Sequence, residues 1–104
     1  MSNWLTGIRG LLDRLEATQG AALDALADAG AAAIANGGIV HVAGTGHSAI
    51  VPLEAFHRAG GLSAMNPLWD PATLPPTGAP RATLLERDPQ RGRDAVDAAG
   101  IRPG

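Results

Sequence analysis

From Asn3 to Ile34 the apolar residues Trp4, Ile8, Leu11, Leu12, Leu15, Ala22, Leu23, Leu26, Ala29 and Ala33 recur at helical spacing, with Asp13, Arg14, Glu16, Asp24 and Asp28 mainly between them. The pattern predicts a helical segment over residues 1–36. Ser2 or Asn3 can cap its start, Gly20 can divide it into two helices, and Asn36-Gly37-Gly38 ends it. Its many alanines allow close helix contact. Two uses fit them: a helical dimerisation face, or packing within the chain's own domain.

The period then changes. Ile39–Ala43 is short, β-branched and apolar on both faces apart from His41, which suits an interior strand of a parallel sheet. Gly44–Ser48 turns the chain, Ala49–Ala59 reads as helix, Gly60-Gly61 stops it, and Leu62–Asn66 reads as a second strand. Residues 37–66 thus form a β-turn-α-β unit. Residues 67–104 read as a Pro-rich irregular loop, Pro67 to Pro80, followed by a helix. Asp88 and Pro89 supply that helix's cap and first residue, and Gly100 supplies its stop after Ala99. A further strand is expected where Ile101-Arg102-Pro103-Gly104 lies. Two parallel strands leave apolar edges and faces uncovered. The chain is therefore read as a fragment, or as a unit that completes its sheet through a partner.

The 104 residues are 45% hydrophobic and 17% charged, which fits one small globular domain. All basic residues are Arg, and the net charge of −2 gives no electrostatic footprint for nucleic acid or an anionic membrane. With zero Cys there are no disulfides, thiolate metal sites or Cys nucleophiles. The N-terminus lacks the apolar core of a signal peptide, and no run is long enough to span a bilayer. The expectation is a cytoplasmic protein without nucleic-acid or membrane partners.

Candidate chemistry gathers at Gly44-Thr45-Gly46-His47-Ser48, between strand and helix. Glycines there allow positive φ and close backbone approach, while free N–H groups and the Thr45 and Ser48 hydroxyls can meet a phosphate. A plain tight turn with Ser48 as N-cap fits the same letters. So does a dinucleotide fingerprint, Gly44-x-Gly46-x-x-Ala49, but the ribose-binding acid it wants is replaced by Asn66, and Asp70 lies past a proline. A Walker loop is excluded, since no Gly-Lys-Ser/Thr is present.

The stretch Gly44-x-Gly46-His47-Ser48, then Glu54, then Phe56-His57-Arg58-Ala59-Gly60-Gly61, resembles the first half of a sugar isomerase (SIS) domain. Leu84 to Gly104 resembles the segment leading to the third strand of that family. The resemblance implies half of a parallel-sheet, Rossmann-like, flavodoxin-type α/β sandwich, with Thr45, His47 and Ser48 lining a phosphosugar pocket. It also implies a second Ser/Thr-rich loop, beyond these residues, that completes phosphate binding.

At about 100° per residue, His47, Glu54 and Arg58 share one stripe of the predicted helix. Ala49, Ile50, Leu53, Phe56 and, at its edge, His57 take the opposite side. Glu54 and Arg58 are placed for a surface ion pair. Alternatively Glu54 acts as general acid/base beside a bound sugar, with Arg58 as a ligand-facing cation. His47 suits a phosphate or sugar-hydroxyl contact in its neutral form. His41 is expected to be buried and bonded to backbone, and His57 to pack at the sheet or a dimer interface. Pro52 can delay or bend the helix. Three His without a second carboxylate at ligand spacing do not suggest a metal site, and no cofactor is expected.

The sequence therefore points to a phosphosugar-binding SIS unit. Its candidate binding residues are Gly44, Thr45, Gly46, His47, Ser48 and Arg58, with Glu54 and His47 nearest any isomerase or lyase chemistry. The rival readings are a phosphosugar sensor without turnover, an inactive fragment, and a dinucleotide-binding unit. Homo-oligomers are expected.

Overall fold

Alanine, leucine and isolated charges carry α1, Ser2–Ala35, as one helix of 34 residues. The computed structural model describes residues 2–101. Gly20 does not divide the helix. An interior glycine costs about 1 kcal/mol relative to alanine, and the strong helix formers around it carry the chain through. Because the helix includes Ser2, Asn3 lies inside it and does not cap it, and the position before Ser2 lies outside the described residues. The end is as expected. Asn36 donates to the Ala32 carbonyl from its backbone at 3.1 Å and its side chain at 2.9 Å, and Gly37 follows at φ 76°. Trp4, Leu11, Leu12, Leu15, Leu23 and Leu26 along this helix are exposed.

The chain divides into two compact units, one up to Asn36 and one from Gly37 onward. The second unit is built on two parallel strands, β1 (Val40–Ala43) and β2 (Met65–Leu68), paired Val40 to Met65 through Ala43 to Leu68. With the helix-rich remainder this makes an α/β fold. β2 falls later than Leu62–Asn66 and runs through Pro67. The ladder explains why that proline is tolerated. Val40 N–H donates to the Ala64 carbonyl at 2.8 Å, so Ala64, Asn66 and Leu68 turn their backbone groups toward β1 while Met65 and Pro67 turn theirs outward. The missing N–H of Pro67 therefore falls on the free edge of β2, where no donor is required. Opposite Asn66, His41 bonds through Nδ1 to the Asn66 amide at 3.1 Å. It is half-buried and held by a side chain, not by backbone as expected.

The segment after β1 is shorter than the predicted Ala49–Ala59 helix. A 3-10 turn, Gly46–Ala49, leads into α2, Ile50–Ala55, which ends as Phe56 becomes extended and His57 turns left-handed at φ 48°. Pro52 has no N–H, and β-branched Ile50 and Val51 are weak helix formers, so little in the sequence prolongs the helix.

Residues 67–80 are more ordered than a Pro-rich loop suggests. Asp70 caps a 3-10 turn, Pro71–Thr73, accepting from Ala72 N–H at 3.1 Å, and a second turn, Pro75–Thr77, follows. Gly78 at φ 125° then opens α3, Ala79–Leu85, with Pro80 in its first turn. The last helix, α4 (Pro89–Ala98), starts where expected. The Asp88 carboxylate accepts from Gln90 N–H at 2.9 Å, and Gly100 at φ 60° closes the far end. Arg91 of α4 reaches back to Asp70 in a two-pronged ion pair, Nε to Oδ2 at 2.6 Å and Nη2 to Oδ1 at 2.8 Å. The Arg91 bond holds the Asp70 carboxyl below its ordinary value of 3.8, outweighing the opposing effect of burial, with a lesser contribution from the Ala72 N–H.

Little of the chain is removed from water. Among the described residues only Ala49, Pro52, Thr73 and Ala82 are buried, while Ile39, Ile50, Val51, Leu53, Leu62 and Leu84 are exposed. No helix among the described residues is long and apolar enough to cross a membrane.

Two outcomes follow. The isolated chain should form dimers or larger assemblies, or unfold with low cooperativity; a monomer by analytical ultracentrifugation with a sharp two-state melt would contradict this surface inventory. The second concerns acid. The unfolded Asp70 carboxyl takes up its proton near its ordinary 3.8, but the folded one holds out to lower pH. The stability contributed by the Arg91 pair is therefore complete above that value and lost as pH falls through the lowered one. Asp70→Asn should remove this part of the acid transition, and identical acid profiles for variant and parent would rule the pair out as its source.

Candidate functional site

The glycine turn lies at the carboxyl end of β1, directly after Ala43. Its first residue is there because backbone meets backbone. A Cβ added at Gly44 would collide with the Ser48 carbonyl and lie 2.9 Å from the Ala49 nitrogen. Gly46 has the expected left-handed backbone, φ 54°, and an added Cβ would meet Glu86 Oε2 at 3.2 Å. Ser48 N–H donates to the Thr45 carbonyl at 3.0 Å, closing the turn. Since α2 has only six residues, its dipole adds little, and the polar groups of the turn itself carry what an anion would meet.

Thr45, Gly46, His47 and Ser48 form one wall of an open cleft of about 630 Å³. The facing wall comes from Thr73 and Pro75 in the 3-10 turns and from Ala79, Ala82, Thr83, Glu86 and Arg87 on and just after α3. The hydroxyls of Thr45, Ser48 and Thr83 have no hydrogen-bond partner among the described residues. Thr73 instead donates to the Asp70 carbonyl at 2.8 Å, which fixes its wall of the cleft to the β2 end. The arrangement offers unpaired hydroxyls, one imidazole, one carboxylate and one guanidinium around a space of small-molecule size.

The predicted site residues divide. Thr45, Gly46, His47 and Ser48 line this cleft, and Gly44 shapes it from behind. Glu54 and Arg58 do not line it. They pair with each other at 2.7 Å, Arg58 Nη1 donating to Glu54 Oε2, with side chains 68% and 59% exposed. The shared stripe with His47 required a helix as far as Arg58, and α2 ends before it. His57 is exposed, its ring 5.9 Å from that of Phe56. Thr73 was missed because residues 67–80 read as irregular, and Thr83, Glu86 and Arg87 because no element was expected between Pro80 and Asp88. The signal for α3 was present: Gly78, a proline two residues on, then the helix-forming run Arg81 to Glu86.

A strand, a glycine turn and a polar cleft at the strand's carboxyl end are the parts of an α/β small-molecule site. The sequence model of the SIS domain matches residues 3–104. The chain belongs to the SIS-domain family. It is similar to the UPF0309 protein of Listeria monocytogenes serotype 4b (strain CLIP80459), 38% identical over 74 residues, which are 71% of this chain and 30% of that relative. The UPF0309 protein of Geobacillus kaustophilus is 41% identical over 71 residues, 68% of this chain and 28% of its own length. That of Oceanobacillus iheyensis is 27% identical across the whole chain, covering 43% of the relative. The chain thus spans less than half the length of these curated relatives. No solved structure matches it at a significant level.

Replacing Gly46 by valine should lower the stability of the turn by about 1–3 kcal/mol, because a β-branched residue is strained at this φ and its Cβ crowds Glu86. A denaturant midpoint equal to that of the parent chain would mean that the turn is not specialised.

Proposed function

We propose that this chain binds a phosphorylated sugar in the cleft beside Gly44–Ser48. The observation that carries the reading is that the unpaired hydroxyls of Thr45, Ser48 and Thr83 and the residue Arg87 line one cleft of about 630 Å³. The family match supports it, since the turn sits within the matched residues. In this reading Thr45, Gly46 and Ser48 meet the phosphate, and His47 contacts the phosphate or a sugar hydroxyl. Binding takes place in the cytoplasm, and further sheet surface is supplied by self-association.

Any isomerase or lyase chemistry belongs to this site in its full-length setting, with His47 and Glu54 as the acid/base candidates. The geometry favours His47, which lines the cleft, over Glu54, whose charge is met by Arg58 away from it. The non-catalytic sensor reading uses the same contacts without turnover. A panel of sugar phosphates assayed for conversion separates the two. The dinucleotide reading loses further ground, because Asn66 at the ribose position is engaged by His41.

Ser48→Ala should weaken binding of a hexose phosphate by about 1.5–3 kcal/mol, the range for hydrogen bonds to charged groups. Titration calorimetry measures this directly. An affinity equal to that of the parent would remove Ser48, and with it the turn, from the phosphate site.

A further inference from the structure

Glu86 stands in an unexpected place for an anion-binding cleft. It is the residue that ends α3, its side chain lines the cleft, and its Oε2 approaches Gly46 closely enough to meet an added Cβ there at 3.2 Å. Neither of the two ion pairs found among the described residues involves it, and while its backbone N–H donates to the Ala82 carbonyl at 2.9 Å, its carboxylate has no hydrogen-bond partner among them. The neighbouring Arg87 also lines the cleft.

An ionised carboxylate only accepts hydrogen bonds. It has nothing to offer a phosphate, and a like charge a few ångströms away opposes phosphate binding. The chemistry that satisfies it is a donor-rich, uncharged group: the hydroxyls of a polyol. The same cleft of about 630 Å³ is lined, besides the turn and Glu86, by Thr83, Ala79 and Pro75.

We infer that Glu86 reads the sugar: its carboxylate accepts hydrogen bonds from the hydroxyls of a ligand whose phosphate lies at Thr45–Ser48, and so separates sugar phosphates from phosphate alone. The inference rests on the phosphosugar reading of the cleft and adds the residue that sets its selectivity. Nothing in it requires turnover. Glu86 is exposed, so water satisfies its carboxylate when the ligand lacks such a hydroxyl, and the discrimination it gives is the moderate one of a single charge-assisted bond.

The test compares two probes, a panel of hexose 6-phosphates and inorganic phosphate, by calorimetry and competition on the parent chain, Glu86→Ala and Ser48→Ala. Glu86→Ala should bind the preferred sugar phosphate about tenfold more weakly, the loss of one charge-assisted bond. It should bind inorganic phosphate unchanged or more tightly, so the preference for the sugar ester falls by about the same tenfold factor. Ser48→Ala should weaken both probes together and leave the preference intact. A preference that stays within about twofold in Glu86→Ala overturns the inference, whether both affinities fall together or neither moves. Should the alanine variant alter the circular dichroism spectrum, Glu86→Gln, which keeps the shape and removes the charge, decides by the same ratio. Failure of the parent chain to bind any sugar phosphate would instead reject the phosphosugar reading itself.

Discussion

The parallel pairing of Val40–Ala43 with Met65–Leu68 is the constraint on which the second unit depends. Each strand has four residues, so the sheet has little room for an error of register. One backbone bond, Val40 N–H to the Ala64 carbonyl, and one side-chain bond, His41 to Asn66, fix that register at the start of the pair. A slip of one residue would separate His41 from Asn66 and turn the backbone of Pro67 inward, where the ladder needs an N–H. With the register set, Ala43 and Leu68 end side by side, and both connections leave from the same edge. The glycine turn and the Asp70 corner are therefore neighbours because the strands are parallel.

From that edge, two features shape the cleft. At Gly44 the chain folds back until the Ser48 carbonyl occupies the space of a side chain, so the turn is held by contact between backbone atoms. On the other side Asp70 organises the descending chain through three sets of bonds. Its side chain caps the first 3-10 turn, its carbonyl accepts from Thr73, and its carboxylate takes Arg91 from α4. The last of these ties the helix after the cleft to the strand before it. α3 lies between Asp70 and Arg91 in the chain, so its carboxyl end, with Glu86 and Arg87, is carried against the turn. Burial contributes modestly to this arrangement, since few residues are buried, and the polar bonds around Asp70 accordingly matter more than they would in a larger core.

The features legible in the sequence were those in which one residue type has one physical use. Gly46 needed a left-handed backbone, Gly37 and Gly100 ended helices, and Asp88-Pro89 began one, each because no other residue does so as cheaply. The parallel α/β character was legible in the change of period at Ile39. What was lost depended on context. Pro67 looked like the end of a strand, and only the direction of the ladder shows that its missing donor faces outward. The extent of α2 was overestimated because apolar spacing continued after the backbone had ceased to be helical, and this removed Arg58 from the stripe it was expected to share with His47. Glu86 could not be placed at all without α3, which hid behind five prolines in the stretch from Pro67 to Pro80. The candidate site was thus half legible: the turn wall from its glycines, the facing wall not.

In the proposed site the turn after β1 and the end of α3 are two walls around one ligand. Amide chemical-shift mapping by NMR during titration with a hexose 6-phosphate tests it most directly. A shared site gives saturable shifts concentrated at Thr45–Ser48 and at Thr83–Arg87, moving with one common affinity, while the amides from Glu54 to Arg58 stay in place. Shifts centred on Glu54–Arg58, or two groups of amides that saturate at different ligand concentrations, would contradict it.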